Sequence, residues 1–514
     1  MTFSTGSDTV DSDIEHPVDT HSRRRVIRVL MVAVLAFAAL VGWSFASPIG
    51  ASPDDNFHQV SIWCAPGDRP GLCESTGDPE SRLVQSILAD SSLCFAFVPE
   101  HSGKCDTPPT GMVTTDHGNF TGAYPPVYYR VVSIFTSDDV QTSVLLIRVF
   151  NSLLAVSLVT SLYLLLDRRL RHAMVWSLLL TAIPMGIFLV SSINPSGWAI
   201  VSAATTWVAI VGFFRAPTRA KQIALGALAL VAALMGAGSR GDSAAYVAFG
   251  AIIAAIITFE RSRRYLFSLL VPLAAVAMSA AFYLSSGQAG MAVGGEMSDT
   301  PTRGADFVAA FIRTLVNIPR MWVGNFGMQN LGWGDVEIPA SVWFTTTVIF
   351  AAVAFWALSR RRDARLNIAI VLAGIAVVMV PSWIITQNGV EVGVLVQPRY
   401  ILPLQVLFIG VLLLGGGDMR RDMTRVQRWI IVIGLALANS ISLYVTMRRF
   451  LTGTAYRGFD LNNGIQWWWD SVPVPPGVFW GLSSVAFAAL LVCATGALTR
   501  KNPSEVVLEA PTNR

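Results

Sequence analysis

Apolar stretches of about 17–25 residues, the length an α-helix needs to cross a hydrocarbon core, recur from one end of the chain to the other. The first occupies residues 23–47, behind Arg23, Arg24, Arg25 and Arg28. It is longer than the apolar core of a signal peptide, so it reads as a retained helix rather than a cleaved leader. Runs at 143–166, 174–193, 197–214, 222–238, 244–259 and 265–285 predict helices two to seven. Runs at 341–358, 366–385, 400–415 and 429–447 predict helices eight to eleven, and 477–498 a twelfth. Three longer polar segments separate them, at 48–142, 286–340 and 448–476. The polar segment 1–22, with Asp8, Asp11, Asp13, Glu15 and Asp19, and the tail 499–514 have no helical periodicity, and 1–22 is expected to be a disordered tail.

Arginine clusters alternate with these runs. Arg168, Arg169 and Arg171, then Arg215, Arg219 and Lys221, then Arg261, Arg263 and Arg264 fall at every second boundary. Arg360, Arg361, Arg362 and Arg365, then Arg420, Arg421, Arg425 and Arg428, and finally Arg500 and Lys501 continue the pattern. With the N-terminus inside, these clusters fall on the cytoplasmic side and the three long polar segments on the other. The expectation is an all-α polytopic membrane protein of about twelve transmembrane helices in a bacterial cytoplasmic membrane, both termini cytoplasmic.

Composition agrees. Of 514 residues, 53% are hydrophobic and 14% charged, against about 25% charged in ordinary soluble proteins; the mean hydropathy is +0.54. The net charge of +4 rests on arginines between apolar runs, with lysine only at 104, 221 and 501. That is the pattern of membrane anchoring, so the bilayer is the expected partner and nucleic acid is not. Four of the five cysteines, Cys64, Cys73, Cys94 and Cys105, share the first long polar segment; Cys493 lies in the last apolar run. An even set in one external loop reads as two disulfides, near-neighbour pairing being preferred among the three connectivities. A zinc site is the rival, but no C-x-x-C pair is present. No Walker motif, H-E-x-x-H or G-x-S-x-G occurs, so ATP-driven transport by this chain alone, zinc proteolysis and α/β-hydrolase chemistry have no support.

The apolar runs hold almost no ionisable residues. The exceptional polar groups gather at the outer helix ends, which suggests an outward-facing site rather than a midplane transport path. Two adjacent carboxylates, Asp54 and Asp55, with His58 close behind, follow the first helix. They have the chemistry to bind a divalent cation or to deprotonate a hydroxyl; the alternative is that an aspartate caps the next helix. Tyr124, Tyr128 and Arg130 lie in an aromatic–proline segment suited either to an interfacial belt or to the wall of a sugar site. Arg148, Asn151, Asn194, Arg240, Asp242, Arg399 and Tyr400 fall at comparable depth. A guanidinium there can clasp a phosphate or snorkel to headgroups. Trp468, in the third loop, is a belt residue or a sugar contact.

Taken together, Pro53-Asp54-Asp55 with His58, Tyr124-Pro125-Pro126 with Tyr128, Pro184-Met185 with Asn194-Pro195-Ser196-Gly197, and Gln397, Arg399, Tyr400 and Pro403 resemble one bacterial family of multi-pass membrane proteins catalogued as a domain of unknown function. The resemblance spans roughly residues 50–415. That family is similar to GT-C glycosyltransferases, which take sugars from polyprenyl phosphates at the extracytoplasmic face. The resemblance implies a GT-C-like fold and an acidic base or metal ligand at Asp54 or Asp55, Asp55 standing where relatives often carry Glu. It also implies a leaving phosphate stabilised by Arg399, with Arg240 or a metal assisting. The donor would be a polyprenyl-phosphate sugar and the acceptor a cell-wall glycan or glycolipid. The cysteine-rich insert is less typical of the family.

Overall fold

The computed structural model describes residues 20–104, 109–288, 305–360, 362–416, 419–456 and 458–498. Among these described residues, twelve apolar helices carry the fold. They are α1 (Thr20–Phe45), α2 (Val140–Leu165), α3 (Arg168–Val190), α4 (Pro195–Arg215), α5 (Arg219–Ala237) and α6 (Gly241–Thr258). After them come α7 (Arg263–Ser285), α8 (Ala340–Leu358), α9 (Ala364–Gln387), α10 (Leu402–Leu414), α11 (Arg425–Thr452) and α12 (Pro476–Thr495). Eleven are long and apolar enough to span a bilayer; α10 is the shorter one. The protein is therefore a polytopic α-helical membrane protein, as the alternation of apolar runs and arginines requires.

Helix boundaries follow local capping. Asp139 accepts the Thr142 N–H and starts α2. Asp167 accepts the N–H groups of Arg169 and Leu170, so α3 begins at Arg168, earlier than the apolar run, and its first turn carries the arginines expected in a loop. Helix α3 is interrupted where Ile183 adopts extended angles (φ −104°, ψ 129°). Pro398 and Tyr400 bound a single 3-10 turn ahead of α10, which shortens that helix. At the other end of the bundle Arg420 and Arg428 donate to the carbonyls of Cys493 (2.7 Å) and Gly496 (2.6 Å), closing the C-terminus of α12. Those two arginines thus satisfy orphan helix carbonyls as well as marking a membrane boundary.

Helix α4 is the most enclosed span, packed among α2, α3, α5, α6 and α10. Helix α1 lies against α2 and α12, and α11 joins α12 to α8. Lipid tails are as apolar as leucine, so close approach and interhelical polar bonds carry the association. A Cβ at Gly42 of α1 would collide with Ser483 of α12 and lie 2.7 Å from the Phe479 carbonyl. Next to it Ser483 Oγ donates to Ala39 O (2.7 Å), and Trp43 Nε1 donates to Asn439 Oδ1 on α11 (3.0 Å).

The segment between α1 and α2 is built rather than loose. A short helix (Asp55–Cys64) is joined by the Cys64–Cys73 disulfide to an antiparallel sheet of β1 (Cys73–Ser75), β2 (Arg82–Gln85) and β3 (Met112–Thr115), in that order. The strands, too short to show a period in the sequence, are the one β element among the described residues. Cys94 is also disulfide-bonded; Cys105, its expected partner, lies outside the described residues. Cys493 is a free thiol.

Candidate functional site

The sharpest chemistry gathers at the disulfide-bearing end of the bundle, where α1 hands the chain to the helix Asp55–Cys64. Asp54 sits at the N-terminal boundary of that helix with φ 60°, and its side chain makes no capping bond. The carboxylate turns instead to Arg399, whose Nη2 donates to Asp54 Oδ2 at 2.7 Å. The helix-cap reading of Asp54 therefore does not hold. This pair bridges segments 345 residues apart. Arg399 is 3% exposed but Asp54 is 38% exposed, so the acid is the member of the pair that a ligand can reach.

Around this pair the structure assembles Arg240, Asp242, Tyr124, Tyr400 and His58. Arg240 holds Asp242 through two parallel bonds, Nε to Oδ1 and Nη2 to Oδ2, both 2.9 Å. Its guanidinium carbon stands 4.7 Å from the centre of the Tyr400 ring and 5.5 Å from that of Tyr124. The Arg399 guanidinium lies 4.9 Å from the same Tyr400 ring. One phenol ring thus has two cations against it. Arg399 also donates to Gln397 and to the Tyr400 hydroxyl, while its Nε is buried without a partner.

Charges in this cluster are strongly interdependent. Burial would raise the Asp54 carboxyl, but Arg399, His58 and Arg240 outweigh it and hold the group below the usual carboxylate range. Burial pushes the His58 imidazole down to about 3 against the pull of Asp54, so it is neutral. His58 Nδ1 meets the Tyr129 hydroxyl at 2.9 Å and its Nε2 is buried without a partner. Burial also raises Tyr124, to about 12, with Arg240 opposing. Arg240 itself is desolvated, yet Asp242 and Tyr124 raise it well above its ordinary value and it stays charged.

Asp55 lies apart from this exposed acid. It is completely buried, takes the Ser52 N–H on Oδ2 (3.1 Å) and faces Arg148 at 3.8 Å. Burial lifts its carboxyl to about 7, Arg148 and the Ser52 bond pulling the other way. Arg148 in turn donates to the carbonyls of Ser44 (3.1 Å), Ser47 (2.7 Å) and Pro48 (2.9 Å) and lies 5.5 Å from the Trp469 ring centre. It fixes the end of α1, and with it the turn that presents Asp54.

Other expected residues act one layer back. Asn194 Nδ2 donates to Pro53 O (2.9 Å) while its Oδ1 accepts the Ser196 N–H, so one side chain starts α4 and pins the acidic turn. Tyr128 is buried edge-on against Trp198, and Asn151 connects the two through its amide. Arg130, on the same short helix as Tyr128, is exposed. Trp468 is buried against Phe450 and Trp467. Neither Arg130 nor Trp468 bonds to or stacks on a member of the Asp54 cluster; both stand outside it.

Tyr129, the partner of His58, was legible only as the third tyrosine of the aromatic–proline segment. A second buried ion pair escaped sequence reading altogether: Arg449, at the end of α11, bonds Asp335 at 2.6 Å. Its signal was an arginine pair, Arg448 and Arg449, at the helix end opposite the arginine clusters. The donor set does not favour a divalent cation. Among the described residues no three His, Cys, Asp or Glu side chains converge on a metal position, and the adjacent carboxylates turn to different arginines.

The cluster draws on the turn after α1, the Tyr124 segment, the starts of α4 and α6, and the 3-10 turn before α10, all within residues 37–408. The chain matches no curated protein. Over those residues it matches the family model described as "Predicted membrane protein (DUF2142)", and to that family of membrane proteins it belongs.

Proposed function

We propose that this protein is a membrane glycosyltransferase that moves a sugar from a polyprenyl-phosphate donor to a cell-wall glycan or glycolipid acceptor at the extracytoplasmic face. The observation that supports it best is the partly exposed Asp54 carboxylate set against the buried Arg399, with Arg240 across the Tyr400 ring. At rest the two guanidiniums are matched by Asp54 and Asp242. An arriving donor phosphate competes with Asp54 for Arg399, and the released carboxylate becomes a stronger base.

In the reaction the acceptor hydroxyl loses its proton to Asp54 as its oxygen bonds to the anomeric carbon. The bond from that carbon to the phosphate oxygen breaks, and the electron pair leaves on polyprenyl phosphate, stabilised by Arg399 and Arg240. Asp55 acts by positioning, through Arg148. Because the carboxylates diverge, no step runs through a metal. His58, fully buried, supports the ring of Tyr124 near the acid, the two ring centres 5.6 Å apart. Nucleotide sugars are confined to the cytoplasm, so an outward-facing transferase needs a lipid-borne donor.

Asp54→Asn is expected to insert normally and to leave the lipid-linked sugar unconsumed in a deletion strain, with the matching wall glycan lost. Full complementation by this variant overturns the catalytic role. A cysteine at exposed position Glu80 is expected to react with an impermeant maleimide in intact cells; reaction only after lysis removes access to the lipid-borne donor and the proposal with it. The second reading is a lipid-linked saccharide flippase. What favours it is that two interrupted helical segments, Ala182–Gly186 and Gly324–Met328, pack together beside the buried Asn325–Gln405 amide pair (2.6 Å). A flippase would accumulate its substrate on the inner leaflet on deletion, whereas a transferase accumulates it on the outer one.

A further inference from the structure

At the same end of the molecule two aromatic rings stand outside the acid–arginine cluster. Phe97 has a φ of 62° and a side chain 71% exposed. A bulky aromatic rarely takes a left-handed backbone, because Cβ crowds the following carbonyl. Such strain ordinarily persists where burial of the side chain compensates for it. Here it holds a ring that stays largely exposed, and strain of this kind recurs at ligand clamps.

The ring does not stand alone. Trp333 lies with its centroid 5.6 Å from that of Phe97 at an interplanar angle of 60°, so the two planes form a corner. The indole is fixed because Nε1 donates to Gly50 O at 2.8 Å. Beneath the corner, Arg449 Nη2 donates to Phe95 O (2.7 Å), Val98 O (3.1 Å) and Asp335 Oδ2 (2.6 Å). One buried guanidinium therefore ties together the two segments that carry the rings. Phe95, two residues before Phe97, is buried edge-on against Phe450. The corner is preorganised from below.

It is also anchored on the turn that leads to the acid. Gly50 and Ala51, a few residues ahead of Asp54, are the floor on which both segments rest. A Cβ at Gly50 would lie 3.1 Å from Ser92 N, and one at Gly332 would lie 3.4 Å from Ala51 O. The three non-glycine residues with positive φ among the described residues are Asp54, Phe97 and Asn330 (φ 60°). All three belong to this one region. Polar residues flank the two rings in the chain: Glu100 and His101, exposed, follow Phe97, and Asn330, half-buried, precedes Trp333.

We propose that Phe97 and Trp333 form a stacking platform for a ring of the acceptor saccharide, anchored on the turn that leads to Asp54. The ligand class rests on the transferase reading; the platform rests on its own geometry. The CH face of a pyranose or furanose packs flat on an aromatic plane while its hydroxyls reach polar neighbours. Fixed ring planes, a clamped foundation and flanking polar residues match that requirement. An anchor dipping into lipid needs neither a set ring orientation nor a strained backbone.

The test uses the full chain in nanodiscs and saturation-transfer NMR with neutral hexasaccharides of glucose, mannose, galactose and arabinose. An Asp54→Asn background keeps turnover out of the measurement. At least one hexasaccharide is expected to receive saturation on its ring CH protons. Phe97→Ala is expected to weaken that binding roughly tenfold, the loss typical of an anchoring aromatic cut to alanine. Phe97→Gly, which accepts the same φ without strain, is expected to lose binding while holding or raising thermal stability. Binding by none of the four sugars, binding unaltered in Phe97→Ala, or a destabilised Phe97→Gly overturns the platform. So does a photoreactive benzoylphenylalanine at position 97 that crosslinks to lipid instead of bound saccharide. None of these results depends on whether Asp54→Asn blocks transfer, so the two readings fail separately.

Discussion

Replacing Arg148 by Met removes a side chain with no solvent exposure that holds three backbone carbonyls and faces one carboxylate. Each charge-assisted bond contributes about 1.5–3 kcal/mol, but the charge no longer has to be desolvated, and that gain offsets part of the loss. Breaking a buried pair by removing one partner costs about 3–5 kcal/mol, the range expected here. Asp55→Asn is a milder change. Arg148 keeps its three carbonyls, the Asn oxygen still accepts from Ser52, and at 3.8 Å the lost attraction lies beyond hydrogen-bond reach. It should cost about 1–2 kcal/mol. Titration with SDS in mixed micelles, followed by tryptophan fluorescence, gives both values, and the double variant gives their coupling. If Asp55→Asn costs as much as Arg148→Met, the ion pair and not the carbonyl clasp holds the end of α1, and the reasoning is refuted.

Two further predictions concern packing and pH. Gly42→Ala should destabilise by about 1–3 kcal/mol, because the new methyl overlaps Ser483. Gly481→Ala, on α12 but at a position where a Cβ meets nothing within 4 Å, should cost nothing; equal losses would contradict the close-approach account of the α1–α12 contact. Asp55 titrates near 7 in the folded chain against 3.8 ordinarily, so its contribution to stability is fully present below pH 3.8 and is lost as pH rises through about 7. His58, depressed to about 3 from 6.5, works oppositely over much of that window, so the Asp55 effect is read as a difference. Stability of the wild type relative to Asp55→Asn should fall between pH 4 and pH 7, and a flat difference would refute the raised carboxyl.

Legibility in the sequence tracked the range of the interaction responsible. Transmembrane helices came through because each is decided by its own composition, and α10 was expected although its spiral is short. Capping by Asp167 shifted the start of α3 because a carboxylate ahead of arginines outweighs their polarity. Asp54, His58, Tyr124, Arg240, Arg399 and Tyr400 were all singled out, but which aspartate would be open and which enclosed was not. Adjacent residues at a helix start point in different directions, and only the position of α2, with Arg148, decides between them. The sheet was invisible because its strands are too short to show a period. The Arg449–Asp335 pair and the Phe97–Trp333 corner were invisible for a related reason: their partners lie far apart in the chain, and no local period records a single long-range contact.

The Arg449 clasp also imposes an order on assembly. The segments it secures belong to the first and second long connections, while the guanidinium itself ends the eleventh helix. During synthesis those earlier connections must wait until most of the polypeptide has been made. A chain arrested before that helix would carry Asp54 and Arg399 and yet lack the guanidinium that ties Phe95 and Val98 to Asp335. Completion of this end of the molecule is thus a late event, timed by a residue outside the Asp54 cluster.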